Sequence, residues 1–132
     1  MIRAKVIGQK SLAARLKKLR QAQRAELKKA VAESLEDVRE RARANIRAGA
    51  RSGTGALAES VEVRSDADGL GGTVGTALPH GRYLEFGTRR MAARPWLQPA
   101  FDAAKPAIRK RLRAAVRAAN RSVARGGGGR EV

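Results

Sequence analysis

The chain has 132 residues, with 29 Lys plus Arg against 12 Asp plus Glu, so its formal net charge is +17. It contains no Cys, which excludes disulfides, thiolate metal sites and cysteine nucleophiles. Aromatic residues make up only 3% of the sequence, so we expect a lean core that gains part of its stability from contacts between subunits. The length suits one domain, which we place at residues 1–125.

The surplus of basic residues has two explanations, which are compatible with each other. A coding bias that favours Arg, Ala and Gly would produce it without any functional meaning. A polyanionic neighbour, such as nucleic acid or an acidic protein face, would give it a purpose. No apolar run approaches the ~20 residues that a bilayer-spanning helix needs, so we expect no membrane partner.

The first elements are a short strand and a long helix. "MIRAKVI" alternates apolar and basic residues, which is typical of a half-buried strand. Ser11 is a plausible N-cap of the following helix and Gly49 its C-cap. Apolar side chains recur between them at steps of three and four, with one gap that Ala22 and Gln23 bridge: Leu12, Leu16, Leu19, Leu27, Val31, Leu35, Val38, Ala42 and Ile46. A helix of about 35 residues is roughly 50 Å long, so we expect one end to contact a neighbouring subunit or another partner.

A β-hairpin is predicted after this helix. "RAGARSGTGALAES" is interpreted as a loop that leads into a half turn. "VEVRS" places Val61 and Val63 on one face of a strand, and "TVGTA" is the return strand. "DADGLGG" joins them as a loop of about seven residues. The sheet is therefore antiparallel in at least this part.

The last helix is predicted to begin near Pro99, which fits a first turn. Its apolar face comprises Phe101, Ala104, Ile108, Leu112, Val116, Ala119 and Val123. Pro106 predicts either a kink or a fresh helix start. The Gly-rich end predicts a flexible tail over residues 126–132. The predicted fold class is α+β, with a long N-terminal helix and a C-terminal helix packed on a small, mainly antiparallel β-sheet.

No constellation of residues indicates an enzyme. His80 is the only histidine, and the spacing of Ser60, His80 and Asp66 does not support a catalytic triad. The Gly-rich segments lack the Lys-Ser/Thr of a phosphate-binding loop. Asp66 and Asp68 flank the hairpin tip as solvated residues rather than metal ligands. We therefore expect no catalysis, no cofactor and no metal.

Arginines recur at every fourth position of the last helix and form what we call the arginine ridge: Arg109, Arg113, Arg117, Arg121 and Arg125. A step of four drifts by about 40° per turn, so these side chains follow a slanted line beside the apolar face. Such a line can track phosphates with a strong salt dependence, or contact a partner protein. The alternative is a solvated face that keeps an Ala-rich helix in solution.

The segment "GRYLEFGTRRMAARPWLQPAF" contains the only Trp, the only Tyr and both Phe of the chain. Pro95 and Pro99 stiffen the path into the last helix, and Trp96, Leu97 and Phe101 anchor that helix to the sheet. The large residues of this segment are thus interpreted as the nucleus of a small core.

Glu85 has two possible roles in the same segment, where Gly87 lets the chain turn after Phe86. It can form an ion pair with Arg89, Arg90 or Arg94 that holds the loop, which is the interpretation we favour. It can instead contact a partner.

Three elements, in this order, resemble the tail-completion or head–tail joining proteins of tailed phages of the Hong Kong 97 type. The first is a Thr-Gly-x-Leu-x-x-Ser element after the long helix. A Tyr followed by Glu-Phe-Gly-Thr is the second, and a Pro-aromatic-Leu-x-Pro-Ala step into the last helix is the third. The matching residues are Thr54, Gly55, Leu57 and Ser60, then Tyr83, Glu85, Phe86, Gly87 and Thr88, then Pro95, Trp96, Leu97, Pro99 and Ala100.

The resemblance implies an α+β subunit that assembles as a ring of about six copies at the neck of a virion, with no substrate and no cofactor. The ring would lie between a head-side connector or stopper protein and a tail terminator or tail tube protein, with genome DNA passing through it. The source would be a phage, a prophage or a gene-transfer particle. The candidate interface residues are Tyr83, Glu85, Phe86, Gly87, Thr88, Arg89 and Arg90, and the structural anchors are Thr54, Gly55, Leu57, Pro95, Trp96, Leu97, Pro99 and Phe101.

Two other functions stay open at this point. A small cellular protein could bind DNA or RNA through its two basic helices, which predicts tight duplex binding by the monomer with a steep salt slope. A minor tail protein located away from the junction is the other alternative.

Overall fold

The computed structural model describes residues 2–7, 21–49 and 54–128. Its elements are, in chain order, β1 (Ile2–Ile7), α1 (Gln21–Ala48), α2 (Thr54–Ser60), β2 (Glu62–Ser65), β3 (Gly71–Thr76), α3 (Pro79–Phe86) and α4 (Leu97–Gly128). Long helices beside a small antiparallel sheet confirm the predicted α+β class. The predicted N-cap at Ser11 and the first three leucines of the predicted helix lie outside the described residues. The division into a domain and a tail stays a prediction.

The three strands form one sheet in the order β1–β3–β2, and both pairings are antiparallel. β3 is therefore the central strand, although its sequence "GGTVGT" contains three glycines. A Cβ at Gly75 would overlap the backbone of Ile2 on β1. The lack of a side chain there lets the two strands come together, and Val74 and Thr76 supply the fully buried side chains of this strand.

The predicted hairpin is confirmed, but its loop is shorter than expected. The loop comprises the five residues between Ser65 and Gly71, because Gly71 and Gly72 pair with β1 as part of the sheet. Within it, Gly69 has a φ of +71°, and the Leu70 N–H donates to the carboxylate of Asp68 at 2.9 Å. The glycines that we interpreted as turn residues thus serve partly as strand residues.

Two short helices differ from the sequence-based interpretation. α2 occupies a segment that we interpreted as a loop with a half turn, and α3 was not predicted at all. α2 is stabilised from outside its own sequence: the Arg43 guanidinium on α1 donates to the carbonyl oxygens of Ala58 at 2.9 Å and Val61 at 3.2 Å. Such a contact satisfies carbonyls that the end of a helix leaves free. No local sequence pattern predicts it.

α1 and α4 pack against each other and run in opposite directions. The Asn45 side chain near the end of α1 donates to the Trp96 carbonyl at 3.0 Å, just before the start of α4. Further along, Arg111 of α4 pairs with Asp37 of α1 at 3.0 Å. The predicted apolar face of α1 is confirmed wherever the structure describes its side chains, with these residues buried: Leu27, Val31, Leu35, Val38, Ala42 and Ile46.

α4 is longer than predicted at both ends. It begins at Leu97, continues past Pro106 without a fresh start, and ends at Gly128, inside the segment predicted as a tail. Ala104 and Ile108, on either side of the proline, are buried in the core. This packing can offset the roughly 3 kcal/mol that a proline costs inside a helix.

Candidate functional site

Glu85 of α3 caps the N-terminal end of α4. Its carboxylate accepts the backbone N–H groups of Trp96 at 2.7 Å, Leu97 at 3.0 Å and Gln98 at 2.9 Å. The next residue, Pro99, has no N–H to satisfy. One side chain therefore satisfies every donor that the first turn of α4 leaves without an intrahelical partner.

The favoured ion pair between Glu85 and the nearby arginines is wrong. Arg89, Arg90 and Arg94 are exposed, and none of them pairs with an acidic group in the part of the chain that the structure describes. Glu85 itself is only 7% exposed and faces the end of α4. The partial positive charge of a helix N-terminus takes the place of the cationic partner that we expected.

Trp96, just before α4, contacts both α1 and α3. Its side chain is 2% exposed, and its indole N–H donates to the carbonyl of Gly81 on α3 at 2.9 Å. Gly81 is itself buried, and a Cβ there would overlap the side chain of Thr76 and lie 3.1 Å from the ring of Trp96. Sequence reasoning missed Gly81. A glycine four residues before Glu85, on the same side of a helix, was the available signal.

The loop between α3 and α4 is held by its backbone. Thr88 and Met91 exchange two N–H···O bonds, of 2.9 and 3.3 Å, and form a tight turn. The Arg94 N–H donates to the Leu84 carbonyl at 2.7 Å. Gly87, which precedes the turn, has a φ of +76°, a conformation that favours glycine. The loop therefore presents its tip, which carries Arg89 and Arg90, in a defined position.

α3 and Leu78, the residue that precedes it, display large apolar side chains to solvent. Leu78, Tyr83 and Phe86 are 39%, 51% and 69% exposed, and we call these three residues the aromatic patch. The interpretation of the large residues as one core nucleus is thus wrong for Tyr83 and Phe86. The reason is that α3 turns Gly81 and Glu85 inward, which directs Tyr83 and Phe86 outward.

The arginine ridge is also free of partners over the part that the structure describes. Arg109, Arg113, Arg117 and Arg121 are exposed, and none of these four forms an ion pair with a described residue. The side chain of Arg125 lies outside the described residues.

A comparison with known protein families tests the resemblance seen in the sequence. The model of the HK97-gp10-like family, described as "Bacteriophage HK97-gp10, putative tail-component", matches residues 10–87. This match covers more than half of the chain. The chain belongs to this family. The resemblance seen in the sequence is thereby confirmed, and the chain is a phage tail-related structural protein of the virion. No curated protein and no solved structure gives a significant match.

The HK97-gp10-like match ends at Gly87, so it includes α3 and the aromatic patch but not α4. Glu85 therefore belongs to the matched region, whereas the helix start that it caps lies beyond it. The structure joins the second and third sequence elements of the resemblance through hydrogen bonds between Glu85 and the backbone of residues 96–98.

The predicted structural anchors of this HK97-gp10-like protein differ in how deeply they are buried. Leu57, Trp96 and Leu97 are buried. Phe101 is half-buried, with the Lys105 ammonium 5.2 Å from the centre of its ring. Gly55, Pro95 and Pro99 are exposed. Thr54 begins α2, and its side chain lies outside the described residues.

The structure does not assemble the triad that the sequence made us consider. Ser60 donates to the Leu57 carbonyl at 2.7 Å and lies 2.7 Å from the Thr76 hydroxyl. No hydrogen bond joins it to His80 or Asp66, and both of these residues are exposed.

Among the described residues, no group of three or more His, Asp or Glu side chains could hold a metal ion. None of the described helices is both long enough and apolar enough to cross a bilayer.

Proposed function

We propose that this protein completes the head–tail junction of its virion, as a ring subunit without catalytic activity. The ring, of about six copies, would lie between the head-side connector or stopper protein and the tail terminator or tail tube protein, and genome DNA would pass through it. The observation that supports this role is the aromatic patch, in which Phe86 is 69% exposed on a helix that is fixed on its other side.

A fixed helix is well suited to docking. Glu85 and Gly81 bind α3 to the beginning of α4 through the hydrogen bonds described above, so the patch loses little conformational freedom when a partner covers it. Exposed aromatic side chains beside arginines have the composition of binding hot spots. Arg82, Arg89 and Arg90 are all exposed. We therefore expect the partner face to combine an apolar groove with carboxylates around it.

Deletion of the gene from the genome that encodes it, followed by electron microscopy of the particles, tests the proposal. We expect DNA-filled heads beside separate, finished tails. Complete and normal particles would remove the junction role. Heads joined to tails that are malformed further along would instead support a minor tail protein located away from the junction.

A second candidate function is nucleic-acid binding, which the four exposed and unpaired arginines of α4 favour. If these four side chains each neutralise a phosphate, the logarithm of the affinity for duplex DNA should fall with the logarithm of the salt concentration with a slope of about −3 to −4. The junction role predicts weak binding by the monomer. A tight complex with this slope, lost in Arg113→Glu/Arg117→Glu, would favour the second candidate.

A further inference from the structure

The solvent face of α1 carries a row of acidic side chains in this strongly basic protein, with the exposed Lys29 between Glu26 and Glu33. Five of the chain's 12 acidic residues recur on α1 at helical spacing. We call them the acidic stripe: Glu26, Glu33, Glu36, Asp37 and Glu40. Four of the five are exposed and Asp37 is half-buried. They lie on the side of the helix opposite its buried apolar residues.

The acidic stripe and the arginine ridge match in length. Glu26 and Glu40 are about 21 Å apart along α1, and Arg109 and Arg121 are about 18 Å apart along α4, at the rise of an α-helix. Both surfaces keep unpaired charges: Glu26, Glu33 and Glu40 form no ion pair in the part of the chain that the structure describes.

The chain already contains one contact of the kind that these surfaces could form. Arg111 of α4 donates to Asp37 of α1 at 3.0 Å, and Asp37 also accepts from Arg41 at 2.9 Å. Arg111 lies toward α1, whereas Arg113 and Arg117 are exposed. The unpaired charges therefore remain available for another molecule.

We propose that the arginine ridge of one copy docks on the acidic stripe of a second copy of this chain. The inference rests on the proposed function, because it identifies the surfaces through which subunits of the ring would contact each other. Opposite charges over matching lengths favour association and fix its register.

A nucleic acid is the other polyanion that could cover the ridge, and the neighbouring helix disfavours it. Glu26 and Glu33 line one groove together with Lys29 of the same helix and with Arg111 and Arg121 of α4. A phosphate backbone laid along the ridge would therefore leave these carboxylates without a partner of opposite charge, whereas a second copy can supply a partner of the right sign for each surface.

Two charge-reversal variants test this pairing. Glu33→Lys/Glu40→Lys makes the stripe basic, and Arg113→Glu/Arg117→Glu makes the ridge acidic. Each variant alone brings like charges together at every copy–copy contact, so we expect the Kd of self-association to rise at least about tenfold. The equimolar mixture restores opposite charges at each contact between unlike copies, and we expect it to assemble as the wild type does. Sedimentation velocity at several protein concentrations measures both results.

A matched control separates the stripe from net charge. Glu59→Lys/Asp66→Lys reverses two exposed acidic residues elsewhere and raises the net charge by the same amount as the stripe variant. It should self-associate like the wild type. High salt should weaken wild-type assembly, because exposed ion pairs are screened. Thermal melting of each variant checks that the fold is retained.

Three results would overturn the inference: a stripe or ridge variant that associates like the wild type, a mixture that does not recover, or a wild-type chain that stays monomeric at every concentration. Tight duplex-DNA binding that survives reversal of the stripe would assign the ridge to nucleic acid instead. None of these results alters the particles seen after gene deletion, so failure of this contact is distinguishable from failure of the junction role.

Discussion

Glu85 shows how one buried side chain joins two segments that are separate in the sequence. It precedes Trp96 by 11 residues, and its bonds to the start of α4 depend on α3, which fixes where its carboxylate lies. Sequence reasoning singled out Glu85 but assigned it arginine partners, because charge pairing can be proposed from composition alone. Backbone donors of a distant helix become visible only when both helices are placed.

Replacement of Glu85 should therefore weaken the fold itself. In Glu85→Ala the buried N–H groups of Trp96 and Leu97 lose their acceptor, and we expect the free energy of unfolding to fall by at least about 2 kcal/mol. Glu85→Gln keeps an oxygen acceptor without the charge and should lose less. Urea denaturation measures both changes, and an Ala variant as stable as the wild type would contradict the capping role.

Trp96 allows the packing and the hydrogen bond of one side chain to be separated. Trp96→Ala should destabilise the fold by about 3 kcal/mol or more, because it empties a fully enclosed site. Trp96→Phe keeps an aromatic ring but removes the donor to Gly81, so it should lose less, although its cost includes about 1 kcal/mol for the hydrogen bond. Thermal or urea melts measure both changes. If Trp96→Phe loses as much stability as Trp96→Ala, the hydrogen bond of the indole N–H, rather than the packing of the ring, accounts for the contribution of Trp96.

At the scale of elements, the long helices were predictable and the short ones were not. α1 places six apolar side chains on one face at steps of three and four, so the helical pattern remains recognisable even if one position departs from it. α2 and α3 have only seven and eight residues, too few to show a period. Their stability comes from Arg43, Trp96 and Gly81 contacts, which are made at a distance along the chain.

A pair of glycine substitutions tests whether tertiary packing, rather than helix propensity, fixes these short helices. Gly81→Ala adds a methyl group against Thr76 and Trp96, and we expect a loss of about 1–3 kcal/mol despite the better propensity of Ala. Gly55→Ala adds the same group on α2, where no atom lies within 4 Å, and should be neutral or stabilising by up to about 1 kcal/mol. Chemical denaturation measures the free energy of unfolding of both variants. A Gly81→Ala variant more stable than the wild type would contradict the close packing around Gly81.

At the scale of the whole molecule, one side of α3 packs in the core, and the opposite side carries the aromatic side chains that we propose for docking. The sequence grouped Tyr83 and Phe86 with Trp96, because all three are large and lie within one short segment. The sequence could not show which face each residue occupies, because the face depends on α3, which no periodic pattern predicted. The candidate site was thus found as a segment, and its division into core and surface came from the structure.

This division predicts a variant that folds but does not assemble. Tyr83→Ser/Phe86→Ser removes exposed aromatic rings, so the free energy of unfolding should stay within about 0.5 kcal/mol of the wild type for each site. When it replaces the wild type in the virus-producing cell, it should fail to yield joined particles. Leu57→Ala is the contrasting control, since it should lower stability by about 2–5 kcal/mol. A patch variant that yields normal particles would show that these side chains are not an interface.

A cryo-electron microscopy reconstruction of the particle neck tests our proposal that this protein occupies the head–tail junction. We expect a closed ring of copies of this α+β fold between the head connector and the tail, with Tyr83 and Phe86 buried against a neighbouring protein. A neck in which no density fits the fold, or a ring in which both side chains face solvent, would contradict the account.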